Sequence, residues 1–183
     1  MNVKHKSMTL GAVAGALLLS GLAASSASAD AGAAAHAWND SNSVDECLAA
    51  AGNDFTADAI MWNCETQGGQ EWSVLLWDYQ DDSYVIGNNN GSCLGIAGDS
   101  QGEGAQVVAE SCSNGDASQY WQLFGGVYPS SDFQGYTEYQ NVASGYCLSV
   151  AGGSLGNGAT VIQWRCQGTP DQEWDFSGGV EVQ

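Results

Sequence analysis

Cations are almost missing from this 183-residue chain: Lys and Arg together number three against 21 Asp and Glu, and the formal net charge is −18. Lys4 and Lys6 lie in the first six residues, so Arg165 is the single cation of the remainder. Such a surface repels phosphate and has little with which to displace the counterions of a polyanion, which argues against nucleic acid and anionic membranes as partners. The acid excess reads first as solubility in a salty or variable medium, and second as attraction for a cationic polymer or a metal ion. Histidine is nearly as scarce, with His5 and His36 alone. Nucleophile–base pairs such as Ser–His or Cys–His therefore lack a base. Two carboxylates can hydrolyse a glycoside, but nothing marks a pair here. "WDYQDDSY", 77–84, gathers Asp78, Asp81 and Asp82 without the ligand spacing of a calcium loop. The expectation is no enzyme, with no catalytic residue, no cofactor and no metal site.

Long apolar runs are missing too, except one. "LGAVAGALLLSGL", 10–22, follows the basic start Lys4-His5-Lys6 and precedes the small residues "AASSASA". A basic start, an apolar stretch short for a bilayer and an A-x-A end describe a secretory signal peptide over residues 1–29. Cleavage after Ala29 fits Ala27-Ser28-Ala29, and Ala35-His36-Ala37 is an alternative, with cleavage after residue 37. The expected location is extracellular, where disulfides form. The chain beyond either cleavage point has the length of one domain with a real core.

Six cysteines are present, and their spacing repeats. Cys47 and Cys64 are 17 apart, Cys93 and Cys112 are 19 apart, and Cys147 and Cys166 are 19 apart. Leu follows each first cysteine, at Leu48, Leu94 and Leu148. A Gln-x-Trp follows each pair: Gln70-Glu71-Trp72, Gln119-Tyr120-Trp121 and Gln172-Glu173-Trp174. The Trp-to-Trp spacings of 49 and 53 define an internal repeat of three units. Of the fifteen pairings open to six cysteines, the repeat selects one bridge inside each unit. Loops of that size gain roughly 3 kcal/mol each in the chain-entropy account.

"TVIQW", "YWQLF", "WSVLLW" and "SYVIG" are short, β-branched and aromatic, as strands are. Gly and Asn clusters break them, at 87–91, 102–104, 152–153 and 156–158. "ECLAAAGNDFTADAIMW", 46–62, is Ala-rich enough to pass for a broken helix, but the repeat register makes it the counterpart of strand-like segments at 93 and 147. No unit can bury an apolar face alone. Three around a threefold axis can share a core, with Trp72, Trp121 and Trp174 and the three leucines as its candidates.

Three units of Cys-Leu-x-x, a Gly/Asn turn, an aromatic two before the second Cys and a closing Gln-x-Trp resemble the ricin-type B-chain lectin family, with "NVASGYCLSVAGG", 141–153, especially close to the family's repeat opening. The resemblance covers residues 40–177 and implies an all-β fold, the β-trefoil, with one disulfide per repeat. It also implies a glycan or polysaccharide ligand. In the family each repeat can hold a shallow sugar pocket. An Asp two residues after the first Cys accepts from sugar hydroxyls, the aromatic two before the second Cys stacks on the ring, and an Asn just before Gln-x-Trp adds a contact. This sequence has the ring at Trp62 and Trp164 but Glu110 in the second unit. The Asp position carries Ala49, Gly95 and Ser149, and the Asn position carries Gly69, Ser118 and Asp171.

The third unit therefore keeps most of a site: Trp164 as platform, Ser149 and Asp171 as hydroxyl partners, and Asn157 in the turn. The first keeps Trp62, with Asn63 or Glu65 as polar neighbours. The middle unit, without a ring, reads as inactive. On this pattern Ser149→Asp should complete the third site. The three Gln residues are expected to order the pocket loops rather than touch ligand. The function expected is a secreted carbohydrate-binding protein, a single domain and a monomer, with weak or altered sites. The alternative is a trefoil whose sugar sites have decayed and which binds protein, as an inhibitor or toxin-associated subunit.

Overall fold

A computed structural model describes residues 35–36, 38–39, 46–52, 56–65, 69–78, 82–124, 137–154, 156–176 and 180–181. The expected signal peptide and Asp81 lie outside the described residues. Among those described, no helix is long and apolar enough to cross a membrane, and no group of three or more His, Cys, Asp or Glu could hold a metal ion.

The chain is built of strands and short 3-10 turns. The first repeat contributes β1 (Ala35–His36), β2 (Trp38–Asn39), β3 (Glu46–Ala50), β4 (Ala57–Asn63) and β5 (Glu71–Asp78). The second contributes β6 (Ser83–Asn88), β7 (Ser92–Ile96), β8 (Val107–Ser111) and β9 (Tyr120–Leu123). The third contributes β10 (Tyr139–Asn141), β11 (Cys147–Val150), β12 (Ala159–Trp164) and β13 (Trp174–Asp175), and β14 (Val180–Glu181) comes last. The Ala-rich segment is the hairpin β3–β4, with Leu48 opposite Met61. Its alternating burial, not its alanine content, decided the outcome: Ala57, Ala59 and Met61 face inward while Asp58 and Trp62 face out.

The outer strands of the repeats make a barrel. β5 pairs with β1 and β6, β6 with β9, and β9 with β10. Thr137 bridges to Trp174, and β13 pairs with β2, which returns to the start. The inner strands form three hairpins, β3–β4, β7–β8 and β11–β12. Each hairpin meets both others: Ala57 pairs with Ala109, Ala159 with Met61, and Gln106 with Ile162. Barrel plus hairpin cap is a β-trefoil.

Trp72, Trp121, Trp174, Leu48, Leu94 and Leu148 are all fully buried in one core. Each indole also solves its polar problem in the same way. Trp72 Nε1 donates to the Leu48 carbonyl at 2.9 Å, Trp121 to Leu94 at 2.9 Å and Trp174 to Leu148 at 3.0 Å. A buried N–H without a partner would cost about 1–3 kcal/mol, and the main-chain carbonyl just after each first cysteine removes that cost. The bridges run within repeats: Cys47–Cys64, Cys93–Cys112 and Cys147–Cys166. Each ties a paired residue on the first strand of a cap hairpin to a cysteine just past the end of the second strand.

Candidate functional site

The position two before each second cysteine is the outer end of a cap hairpin. Trp62 faces Cys47 across the ladder, Glu110 faces Cys93, and Trp164 faces Cys147. The disulfide fixes the strand end that carries these side chains. Trp62 is 42% exposed and Trp164 is 36% exposed, unusual for indoles that do not serve the core.

In the third repeat Trp164 walls a cleft of about 410 Å³, with Ser149, Ile162, Gln167, Thr169 and Asp171 among its other linings. Two turns shape it. Ala151–Gly153 is a 3-10 turn whose Gly152 sits at φ +63°, where a side chain would be strained. Pro170–Gln172 is the other, with proline at its first position, where no N–H is needed. The second turn brings Asp171 over β11, and the Ser149 hydroxyl donates to Asp171 Oδ2 at 2.8 Å. Ser149 is only 2% exposed, and its hydroxyl is committed to that carboxylate. Asp171 keeps lone pairs that can accept from ligand hydroxyls beside an aromatic face.

Gln172 holds the turn from behind. Its Oε1 accepts from Gln167 N–H at 2.7 Å, and its Nε2 donates to the Arg165 carbonyl at 2.8 Å. Gln70 and Gln119 repeat this clamp. Gln70 accepts from Glu65 N–H and donates to the Asn63 carbonyl, and Gln119 accepts from Ser113 N–H and donates to the Ser111 carbonyl. All three glutamines are buried and order the loop after the second cysteine.

The other two repeats differ. In the second, Glu110 leans over Gly95, where even a methyl would collide with its Oε1. Gln119 Nε2 donates to that oxygen at 3.1 Å. Burial pushes the Glu110 carboxyl up, the Gln119 bond pulls it back, and the charges of Asp116 and Asp99 push it further up. In the first, Ala49 and Gly69 stand where the third repeat has Ser149 and Asp171, so neither position supplies a polar side chain.

Residues 35–121 match the sequence profile of the ricin-type β-trefoil lectin domain, and residues 117–182 match that of the ricin-type β-trefoil lectin domain-like family. The chain belongs to the ricin-type β-trefoil lectin family. A designed three-fold symmetric protein, ThreeFoil, superposes with a TM-score of 0.64 at 25% identity, over 76% of this chain and 94% of that one. A Polyporus squamosus lectin, solved bound to the epitope Neu5Aca2-6Galb1-4GlcNAc, superposes with a TM-score of 0.61 at 18% identity, over 78% and 48%. The N-acetylgalactosaminyltransferase 4 of Drosophila melanogaster is 40% identical over 63 residues. That stretch is 34% of this chain and 9% of the fly enzyme.

Of the expected site residues, the fold brings together Trp164, Ser149 and Asp171. Asn157 is not among the residues lining their cleft. It lies in the β11–β12 loop, which docks on the first repeat, and its Oδ1 accepts from Asn63 N–H at 2.6 Å. Asn157 therefore stands beside Trp62. The threefold arrangement sends each cap loop to a neighbouring repeat, which sequence register within one repeat does not reveal. For the same reason sequence reading passed over Glu103 and Gly104, in the β7–β8 loop of the second repeat. Arg165 grips Glu103 through Nε–Oε1 at 2.5 Å and Nη2–Oε2 at 2.8 Å. That bond holds the Glu103 carboxyl below the usual range. The pattern of Gly104, Gly158 and Thr56 at one register position was the available signal.

Proposed function

We propose that the protein is a secreted carbohydrate-binding lectin whose third repeat carries the main sugar site, with a lesser site at Trp62 and none in the second repeat. The observation behind this reading is the exposed Trp164 ring beside a carboxylate that Ser149 aims into the same cleft. A sugar offers C–H groups on its face and hydroxyls on its rim, and ring plus carboxylate match both. The site is modest. Only one acid is in place, and one charged hydrogen bond contributes roughly 1.5–3 kcal/mol, about ten- to a hundredfold in affinity. Secretion rests on the leader of residues 1–29, and amino-terminal sequencing of the exported protein would find Asp30 or Trp38 first.

Titration against galactose-, xylose- and N-acetylhexosamine-containing oligosaccharides tests the sugar reading. Trp164→Ala should abolish binding with little change in melting temperature, because the indole is not part of the core. Trp62→Ala should do less. Undiminished binding by Trp164→Ala would remove the site, and no sugar bound on a glycan array would favour the protein-binding alternative. That alternative draws on the second repeat, where Glu110 fills the pocket.

A further inference from the structure

The β7–β8 loop belongs to the second repeat, but its residues 100–105 are fastened to the third. Gly104 N–H donates to the Gln163 carbonyl at 2.8 Å, and Gln163 N–H donates to the Ala105 carbonyl at 2.9 Å. The Gln163 side chain is fully buried and donates to the carbonyls of Ser100 at 2.9 Å and Gly102 at 2.8 Å. Arg165 fastens the loop again through Glu103. Between these anchors, at φ +84°, sits Gly104, where an added methyl would lie 3.4 Å from Trp164 Cζ3. The edge of the indole's six-membered ring thus lies within about one methyl group of the neighbouring repeat's backbone.

The corresponding positions make the arrangement specific. Gly158 docks on β4 through a bond to the Met61 carbonyl, and Thr56 docks on β8 through a bond to the Ala109 carbonyl. A methyl on Gly158 would meet nothing within 4 Å, so Trp62 has no such backing there. Thr56 lies beside the repeat that has Glu110 instead of a ring. The only Lys or Arg after residue 6 is the one that latches the loop behind Trp164.

We propose that Glu103, Gly104 and Arg165 are positioning residues of the Trp164 site, with the second repeat's loop backing the ring and the ion pair latching the loop. This rests on the reading of Trp164 as a stacking platform and adds that two repeats build its site. An indole free on both faces must be immobilised by its ligand, and that ordering costs affinity; a ring already backed is ordered beforehand. An exposed ion pair adds little to global stability, so its effect falls on the loop and ring. The second repeat, whose own pocket is filled, serves ligand binding through its neighbour.

Glu103→Gln, Arg165→Gln and the reversed pair Glu103→Arg/Arg165→Glu in the full chain test this. Limited oxidation with N-bromosuccinimide, mapped by mass spectrometry, reports the reactivity of Trp164 with Trp62 as internal reference. The same variants are titrated with the oligosaccharide panel. Each single change should raise Trp164 reactivity several-fold relative to Trp62 and weaken sugar binding several-fold at unchanged melting temperature, and the reversed pair should recover both. Gly104→Val should also weaken binding, and the latch variants carry the test if that protein does not fold. Unchanged reactivity and affinity in both single variants would overturn the proposal. Raised Trp164 reactivity in a protein whose wild type binds none of the sugars would support the backing of the ring and overturn the carbohydrate reading alone.

Discussion

At Ser149 a single hydroxyl reverses what the family pattern suggests. Register alone makes Ser149→Asp the change that completes the site. The structure places Asp171 Oδ2 2.8 Å from that hydroxyl, at a position only 2% exposed. A second carboxylate would face the first with no proton between them, and one would have to protonate or move. Ser149→Asp alone should therefore lower the melting temperature and leave sugar binding no tighter. Ser149→Asp/Asp171→Asn supplies an acid and an amide donor, and should bind at least tenfold tighter than the single variant in the same titration. Glu110 makes the second residue-scale case. Its raised folded pKa means the folded state holds its proton at higher pH than the unfolded chain does. The stability it contributes is present below the ordinary glutamate range and is lost as pH rises through the raised value. Glu110→Gln keeps the acceptor for Gln119, so it should raise the melting temperature at neutral pH and lose that advantage at acid pH. Trp164, Ser149 and Asp171 were legible because each stands at a fixed offset from a cysteine or a Gln-x-Trp. The Ser149–Asp171 bond was not, since it depends on a turn geometry that two residues 22 apart do not announce.

Each hairpin of the cap is short, and what joins the three is a small set of contacts at their inner ends. Gln106 is the most concentrated of these. Its Nε2 lies 3.1 Å from the Ala59 carbonyl, 2.8 Å from Val107 and 3.0 Å from Val161, equivalent positions of the three repeats. One amide on the pseudo-threefold axis thus serves a carbonyl of every hairpin, sharing two N–H groups among three acceptors. Asp58 and Thr160 hold the equivalent positions in the other repeats, and only one side chain can occupy the axis. Gln106→Ala should cost about 1–3 kcal/mol, the range for leaving buried carbonyls unmet. Thermal or urea unfolding measures it, and a loss within about 0.5 kcal/mol, what an ordinary surface change gives, would mean that water replaces the amide. The hairpins themselves could be read from the repeat, even where Ala-rich composition argued for helix in 46–62. The axial role of Gln106 could not, because symmetry breaking is invisible in what the three repeats share.

Over the whole molecule, charge and fold answer different questions. The trefoil keeps its core apolar and its buried glutamines hydrogen-bonded, and among the described side chains Glu46 is the one buried acid, so the acids do not decide the architecture. They do decide encounter. The one arginine beyond residue 6 is committed to Glu103, which leaves no basic patch to meet a polyanion among the described residues. Counterion release requires cations at the interface, and a chain of formal charge −18 has none to spare. The protein should therefore pass through a heparin column at physiological salt and show no measurable affinity for duplex DNA. The same field disfavours glycans that carry carboxylates or sulfates, since bringing one to Asp171 sets like charges together. Neutral oligosaccharides should bind with an affinity nearly independent of salt between about 0.05 and 0.5 M, because stacking on Trp164 and a neutral ligand leave little to screen. Acidic glycans should gain affinity as salt rises. Salt-sensitive retention on heparin, or an acidic glycan held most tightly at low salt, would show a cationic surface that the sequence does not provide.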